Sequence, residues 1–150
     1  MKRVLALLVC VLLLGSTIAF PVAAESENQI EISRTVEDLG NGCYYIETIT
    51  VPGIQPYSNT KSGTKTAVYV VDEQSIYAVS VTGEFTYDGS TATATSAEDS
   101  VVAYVEGVTL ESRNAYTYGA YACASATVSY KGVRLTKTVK LLCDRNGNLS

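Results

Sequence analysis

The sequence predicts an all-β domain folded as an antiparallel sandwich. Apolar residues recur at every second position over long stretches, and Asn-Gly, Asp-Gly and Lys-Gly steps punctuate those stretches. Beyond residue 24 no segment shows a helical period with caps.

The first segment is not part of that domain. Met1, Lys2 and Arg3 open the chain with positive charge, and an unbroken apolar run fills residues 4–14. Gly15, Ser16 and Thr17 loosen the run, Pro21 stops a helix, and Val22, Ala23 and Ala24 are the small or aliphatic residues a signal peptidase accepts. Residues 1–24 therefore read as a cleavable signal peptide. The run of 11 residues is short for a spanning helix, which needs about 20. Cys10 follows Val9 inside the run, whereas a lipidated cysteine would follow a small residue at its end. The expected location is secreted, outside the cell, with no stable membrane span after cleavage.

Residues 25–150 are the right size for one domain. Segment 25–51 reads as an N-terminal hairpin, with strands at 30–36 and 43–51 around the turn cluster 38–42. Segment 52–63 holds Pro52, Gly53, Pro56, Ser58, Asn59 and Gly63 and reads as the longest loop. Segment 64–150 forms the main body. Its clearest signal is Tyr77, Val79, Val81, Phe85 and Tyr87 alternating with Ala78, Ser80, Thr82, Glu84 and Thr86. A two-residue turn at Asp88-Gly89 would pair Tyr87 with Ser90, Phe85 with Ala92 and Gly83 with Ala94. A second hairpin turns at Lys131-Gly132, pairing Tyr130 with Val133, Val128 with Leu135, Ala124 with Val139 and Ala120 with Cys143. Lys137, opposite Ala126, is the misfit on its apolar face. Shorter strands fall at 64–71, 101–105 and 108–112. Eight to nine strands suggest two packed sheets of immunoglobulin-like architecture. The tryptophan of true immunoglobulin domains is absent, since the chain has no Trp.

Loss of Lys2 and Arg3 with the signal would take the net charge from −4 to −6. That balance argues against nucleic acid as a partner, because phosphate binding needs clustered Lys and Arg. Lys131, Arg134, Lys137 and Lys140 do cluster, and an edge or solvent face explains them. Three cysteines follow the signal, Cys43, Cys123 and Cys143, so one bridge at most forms within the chain. Cys143 faces inward and Cys123 outward in the predicted register. Cys43 with Cys143 is the favoured bridge, other pairings and free thiols remaining open.

The chain has no histidine, which removes His-based triads and the usual zinc sites. The carboxylate pairs Glu37-Asp38, Asp72-Glu73 and Glu98-Asp99 sit in turn-like segments and read as solvated residues. Asp144-Arg145-Asn146-Gly147-Asn148 opens like a calcium loop, but its sixth position is Leu149 rather than Gly. Asn148-Leu149-Ser150 fits a glycosylation sequon. The expectation is a protein that is not an enzyme and carries no cofactor and no metal. Of 11 tyrosines, Tyr116, Tyr118 and Tyr121 crowd together and are the candidate binding surface.

Segment 81–92 (VTGEFTYDGSTA) and the ending 139–150 (VKLLCDRNGNLS) resemble small secreted β-rich proteins of Gram-positive, clostridia-like bacteria. The resemblance implies an exported bacterial protein and adds no catalytic residue. The expected function is an extracellular or cell-envelope binding module, with an envelope glycan or a surface protein as partner. A secreted effector, such as a bacteriocin-like factor, toxin or inhibitor, is the alternative.

Overall fold

A computed structural model describes residues 28–54 and 59–150. The segment 1–24 expected to be a signal peptide and part of the expected 52–63 loop lie outside these residues. The described chain is all strand, with no helix. The strands are β1 (Gln29–Gly40), β2 (Cys43–Pro52), β3 (Thr60–Val71), β4 (Gln74–Tyr87), β5 (Ala92–Ala103), β6 (Val108–Tyr118), β7 (Tyr121–Tyr130) and β8 (Val133–Leu142). They form a five-stranded sheet, β1-β2-β3-β4-β5, and a three-stranded sheet, β6-β7-β8.

Each neighbouring pair is antiparallel and consecutive in the chain. The two-layer, sandwich-like arrangement follows the expectation. The connections do not follow an immunoglobulin pattern: strands run as two meanders, without the Greek-key exchange that pattern requires. The step from one sheet to the other occurs between Ala103 and Val108, where Gly107 takes a φ of +84°.

The alternation in β4 and β7 builds the core. Tyr77, Val79, Val81 and Phe85 point from β4 towards Ala122, Ala124, Ala126 and Val128 of β7, and all eight are buried. Small residues on one sheet let the large ones of the other settle between the layers. Gly83 marks the closest approach: a Cβ there would lie 2.6 Å from the Ala122 Cβ and 2.8 Å from the Phe85 ring. On the opposite face, hydroxyl pairs run between β3 and β4, Thr64 with Thr82 at 2.8 Å and Thr66 with Ser80 at 2.9 Å.

Turn chemistry explains where the expected registers hold and where they shift. Lys131 and Gly132 both have positive φ, and Tyr130 pairs with Val133, Val128 with Leu135 and Ala124 with Val139, as expected. The hairpin at Asp88 differs. Tyr87 pairs with Ala92 and Phe85 with Ala94, so the loop has four residues instead of two. Asp88 causes the change, because its carboxylate accepts hydrogen bonds from the backbone N–H groups of Ser90 (2.8 Å) and Thr91 (2.7 Å). The shift of two residues keeps Ala92 and Ala94 on the face of Tyr87 and Phe85. A bulge at Thr95 follows, and the Thr95 hydroxyl donates to the Glu84 carbonyl at 3.1 Å.

Two segments read as turns are strands. Glu37 and Asp38 belong to β1, and Glu98 and Asp99 to β5, which runs on into the strand expected at 101–105 and ends at Ala103. An edge strand tolerates charge, and Asp99 is paired with Arg113 of β6 at 3.2 Å. Only Asp72 and Glu73 form a turn, both with positive φ.

Lys137 also departs from expectation. It does not sit on an edge or solvent face but lies between the layers with a side chain 12% exposed. Its ammonium donates to Glu37 Oε2 at 2.7 Å and Glu47 Oε1 at 2.9 Å, and lies 4.2 Å from the Tyr45 ring centre. Lys65 approaches the other oxygen of Glu47 at 3.5 Å. Tyr45, Tyr69 and Tyr77 are adjacent across β2, β3 and β4, and the Tyr45 and Tyr77 hydroxyls lie 2.6 Å apart.

Candidate functional site

The outer face of the β6-β7-β8 sheet gathers the residues singled out from the sequence. The β6–β7 hairpin turns at Gly119-Ala120, where Gly119 has a φ of +57°. The turn is held by both sheets. The Gly119 carbonyl accepts from the Ala94 N–H at 2.8 Å, and the Ala120 carbonyl accepts from the Cys143 N–H at 3.1 Å. Anchored this way, the turn fixes the strand register beside it: Tyr118 stands opposite Tyr121, and Tyr116 opposite Cys123.

On the other side, Cys123 pairs with Lys140 of β8. Tyr116, the small Cys123 and Lys140 therefore form one row across three strands, with Tyr118 and Tyr121 in the next. Together they line a shallow groove of about 290 Å³. The tyrosines are 43%, 76% and 37% exposed in chain order, while Cys123 is buried beneath its neighbours. Cys123 raises the pKa of the Tyr116 phenol, because thiolate and phenolate would repel and because the two side chains share a hydrogen bond. The groove is thus aromatic on one side, cationic on the other, and floored by a thiol.

The expected basic cluster is divided among separate roles. Lys131 lies over the Tyr130 ring, Arg134 pairs with Glu111 at 2.7 Å, Lys137 is held between the layers, and Lys140 joins the groove. The tyrosine spacing alone does not link Lys140 and the buried Cys123 to the site. The signal was present, since the Lys131-Gly132 register already sets Cys123 opposite Lys140.

The structure sets Cys43 and Cys143 apart. Cys43, Cys123 and Cys143 are all unbonded. Cys43 pairs with Val71, whereas Cys143 pairs with Leu149, whose side chain reaches Gly63. Val71 and Gly63 are separated by eight residues of β3, about 26 Å at the strand rise. Cys43 and Cys143 thus occupy opposite ends of the layers, far beyond disulfide reach. Burial, together with the charge of Asp144, raises the Cys143 thiol pKa.

Asp144 and Asp38 serve structural contacts. Asp144 accepts hydrogen bonds from the backbone N–H groups of Asn146 and Asn148 and from the Asn148 amide, at 2.8, 2.9 and 2.8 Å, so its carboxylate is used by its own loop. Asp38 caps the N–H of Gly40 at 2.8 Å. Among the described residues no three His, Cys, Asp or Glu side chains converge as metal ligands. Among the described residues there is no helix long and apolar enough to cross a membrane.

No protein-family model, curated protein or solved structure matches this chain.

Proposed function

We propose that this chain is an exported binding module whose ligand surface is the outer face of the β6-β7-β8 sheet. The single observation behind this reading is the exposure of Tyr116, Tyr118 and Tyr121 side by side on a well-ordered strand pair. Tyr45, Tyr69 and Tyr77 are buried in the core and Tyr104 is exposed singly, whereas these three exposed rings stand together on one face. Exposed rings carry a large contact area with few rotatable bonds, which makes them efficient anchors. The positive start, apolar run and small-residue end of segment 1–24 support export. An envelope glycan or a surface protein is the partner class.

The test is retention of the purified protein on Gram-positive cell-envelope preparations, compared with a Tyr116→Ala/Tyr118→Ala/Tyr121→Ala variant of unchanged circular dichroism. Retention lost in the variant supports the reading. Equal retention, or none by either protein, rejects it.

A further inference from the structure

We propose that the groove between Tyr116, Tyr118, Tyr121 and Lys140 recognises a sugar ring bearing one acidic group. The inference rests on the binding-module reading and specifies its ligand.

Size is the first argument. A groove of about 290 Å³ lies at the small end of ligand sites, which suits one ring of a longer glycan rather than a folded partner. The lining is the second. Only Tyr, Cys and Lys side chains contribute, so the aliphatic walls that would hold a lipid chain or an apolar peptide anchor are missing. Tyrosine faces suit the C–H faces of a pyranose, and their hydroxyls suit its hydroxyls.

Charge is the third and most specific argument. Arg34, Lys65, Arg113, Arg134 and Lys137 each have a carboxylate partner. Lys140 has none among the described residues, and neither have Lys61, Lys131 and Arg145; of these four, only Lys140 lines the groove beside the three tyrosines. A lysine held beside three aromatic rings without a counter-ion is complementary to an anion brought by the ligand. One cation on an acidic protein does not suit a polyanionic strand, which needs several.

The surface beyond the groove continues in the same chemical character. Thr127 with Thr136 at 2.9 Å, and Ser125 with Thr138 at 3.1 Å, form hydroxyl pairs along β7 and β8. Each hydroxyl can donate once and accept twice, so each pair keeps capacity for further glycan hydroxyls.

The experiment is an NMR titration of the protein, expressed with its own N-terminal segment, against glucuronate, glucose 6-phosphate and glucose. At least one acidic sugar is expected to shift Tyr116, Tyr118, Tyr121 and Lys140 resonances and to bind about tenfold more tightly than glucose. Lys140→Gln should abolish that preference, Tyr118→Ala should weaken both acidic and neutral sugars, and Lys131→Gln should change nothing. The tighter of the two acidic sugars identifies the acid as carboxylate or phosphate. Equal binding of all three sugars with Lys140→Gln silent, or no groove shifts with any sugar, overturns the proposal. The binding-module reading fails separately, on envelope retention that ignores the tyrosine substitutions.

Discussion

Lys137 is a lysine that alternation assigns to an apolar face, and its surroundings explain how the fold accepts it. Burial opposes the Lys137 charge, but hydrogen bonds and charge from Glu37 and Glu47 outweigh it and raise the pKa above its ordinary 10.5. Burial likewise opposes the Glu47 charge, and Lys137 with Lys65 overcomes it, holding that carboxyl below its ordinary 4.5. Tyr69 is pushed up to about 12, first by burial and then by Cys43. Tyr77 is raised by burial and by the Tyr45 hydroxyl. The Glu47 contribution to stability is present above its unfolded pKa and is lost as pH falls through the lowered value. The Lys137 and tyrosine contributions are present below their unfolded values and are lost as pH rises through the raised ones. Urea midpoints should therefore form a plateau between roughly pH 5 and 10 and fall on both sides. Lys137→Met leaves Glu47 facing only Lys65, and should cost about 1–3 kcal/mol in the same assay, since the group is part-buried rather than fully enclosed. At Gly83 the constraint is space. Gly83→Val drives a side chain into Ala122 and Phe85, and a loss of about 1–3 kcal/mol or more is expected from overpacking.

Strands and turns differ widely in how firmly they are held. Strand β1 pairs only with β2 and is almost entirely exposed, with Ile30, Ile32, Val36 and Leu39 facing solvent in part. Its contact with β8 is the Glu37–Lys137 ion pair. Amide hydrogen exchange should be fastest in β1 and slowest in β4, which is buried between two strands and the second sheet. In the Lys137→Met variant β1 exchange should accelerate further while β4 follows global stability. The β3–β4 turn stores a small strain, because Asp72 and Glu73 adopt positive φ with side chains that disfavour it. Glu73→Gly produces the Asp-Gly step that suits this turn, so a gain of about 0.5–1 kcal/mol is expected by thermal or urea unfolding.

At the scale of the whole molecule, stability comes from two interlocked sheets, with no disulfide among the described residues. Cys43, Cys123 and Cys143 should each accept one alkyl group in denaturant without reductant, while buried Cys123 and Cys143 resist alkylation in the native protein. On the proposed export, the intact mass of protein recovered outside the cell should correspond to a start at Glu25 with three free thiols. A mass two hydrogens lighter that resists alkylation would reveal a bridge that the strand register forbids for Cys43 and Cys143.

Alternation and turn residues made much of this legible in the amino-acid sequence. The faces of β4, β7 and β8, and the register set by Lys131-Gly132, depend on neighbours a few residues apart, and local steric rules decide them. The crowding of Tyr116, Tyr118 and Tyr121 was visible for the same reason. The four-residue Asp88 loop was not, because an Asp carboxylate that captures two backbone N–H groups competes with the shorter turn. Nor could local pattern place Glu37 beside Lys137, 100 residues later, or keep Cys43 and Cys143 apart. The sequence by itself determined which way β4, β7 and β8 face. Only the tertiary structure decided which strands share a sheet, which lysine is buried and which is left unpaired beside the tyrosines, because those outcomes depend on how distant segments meet.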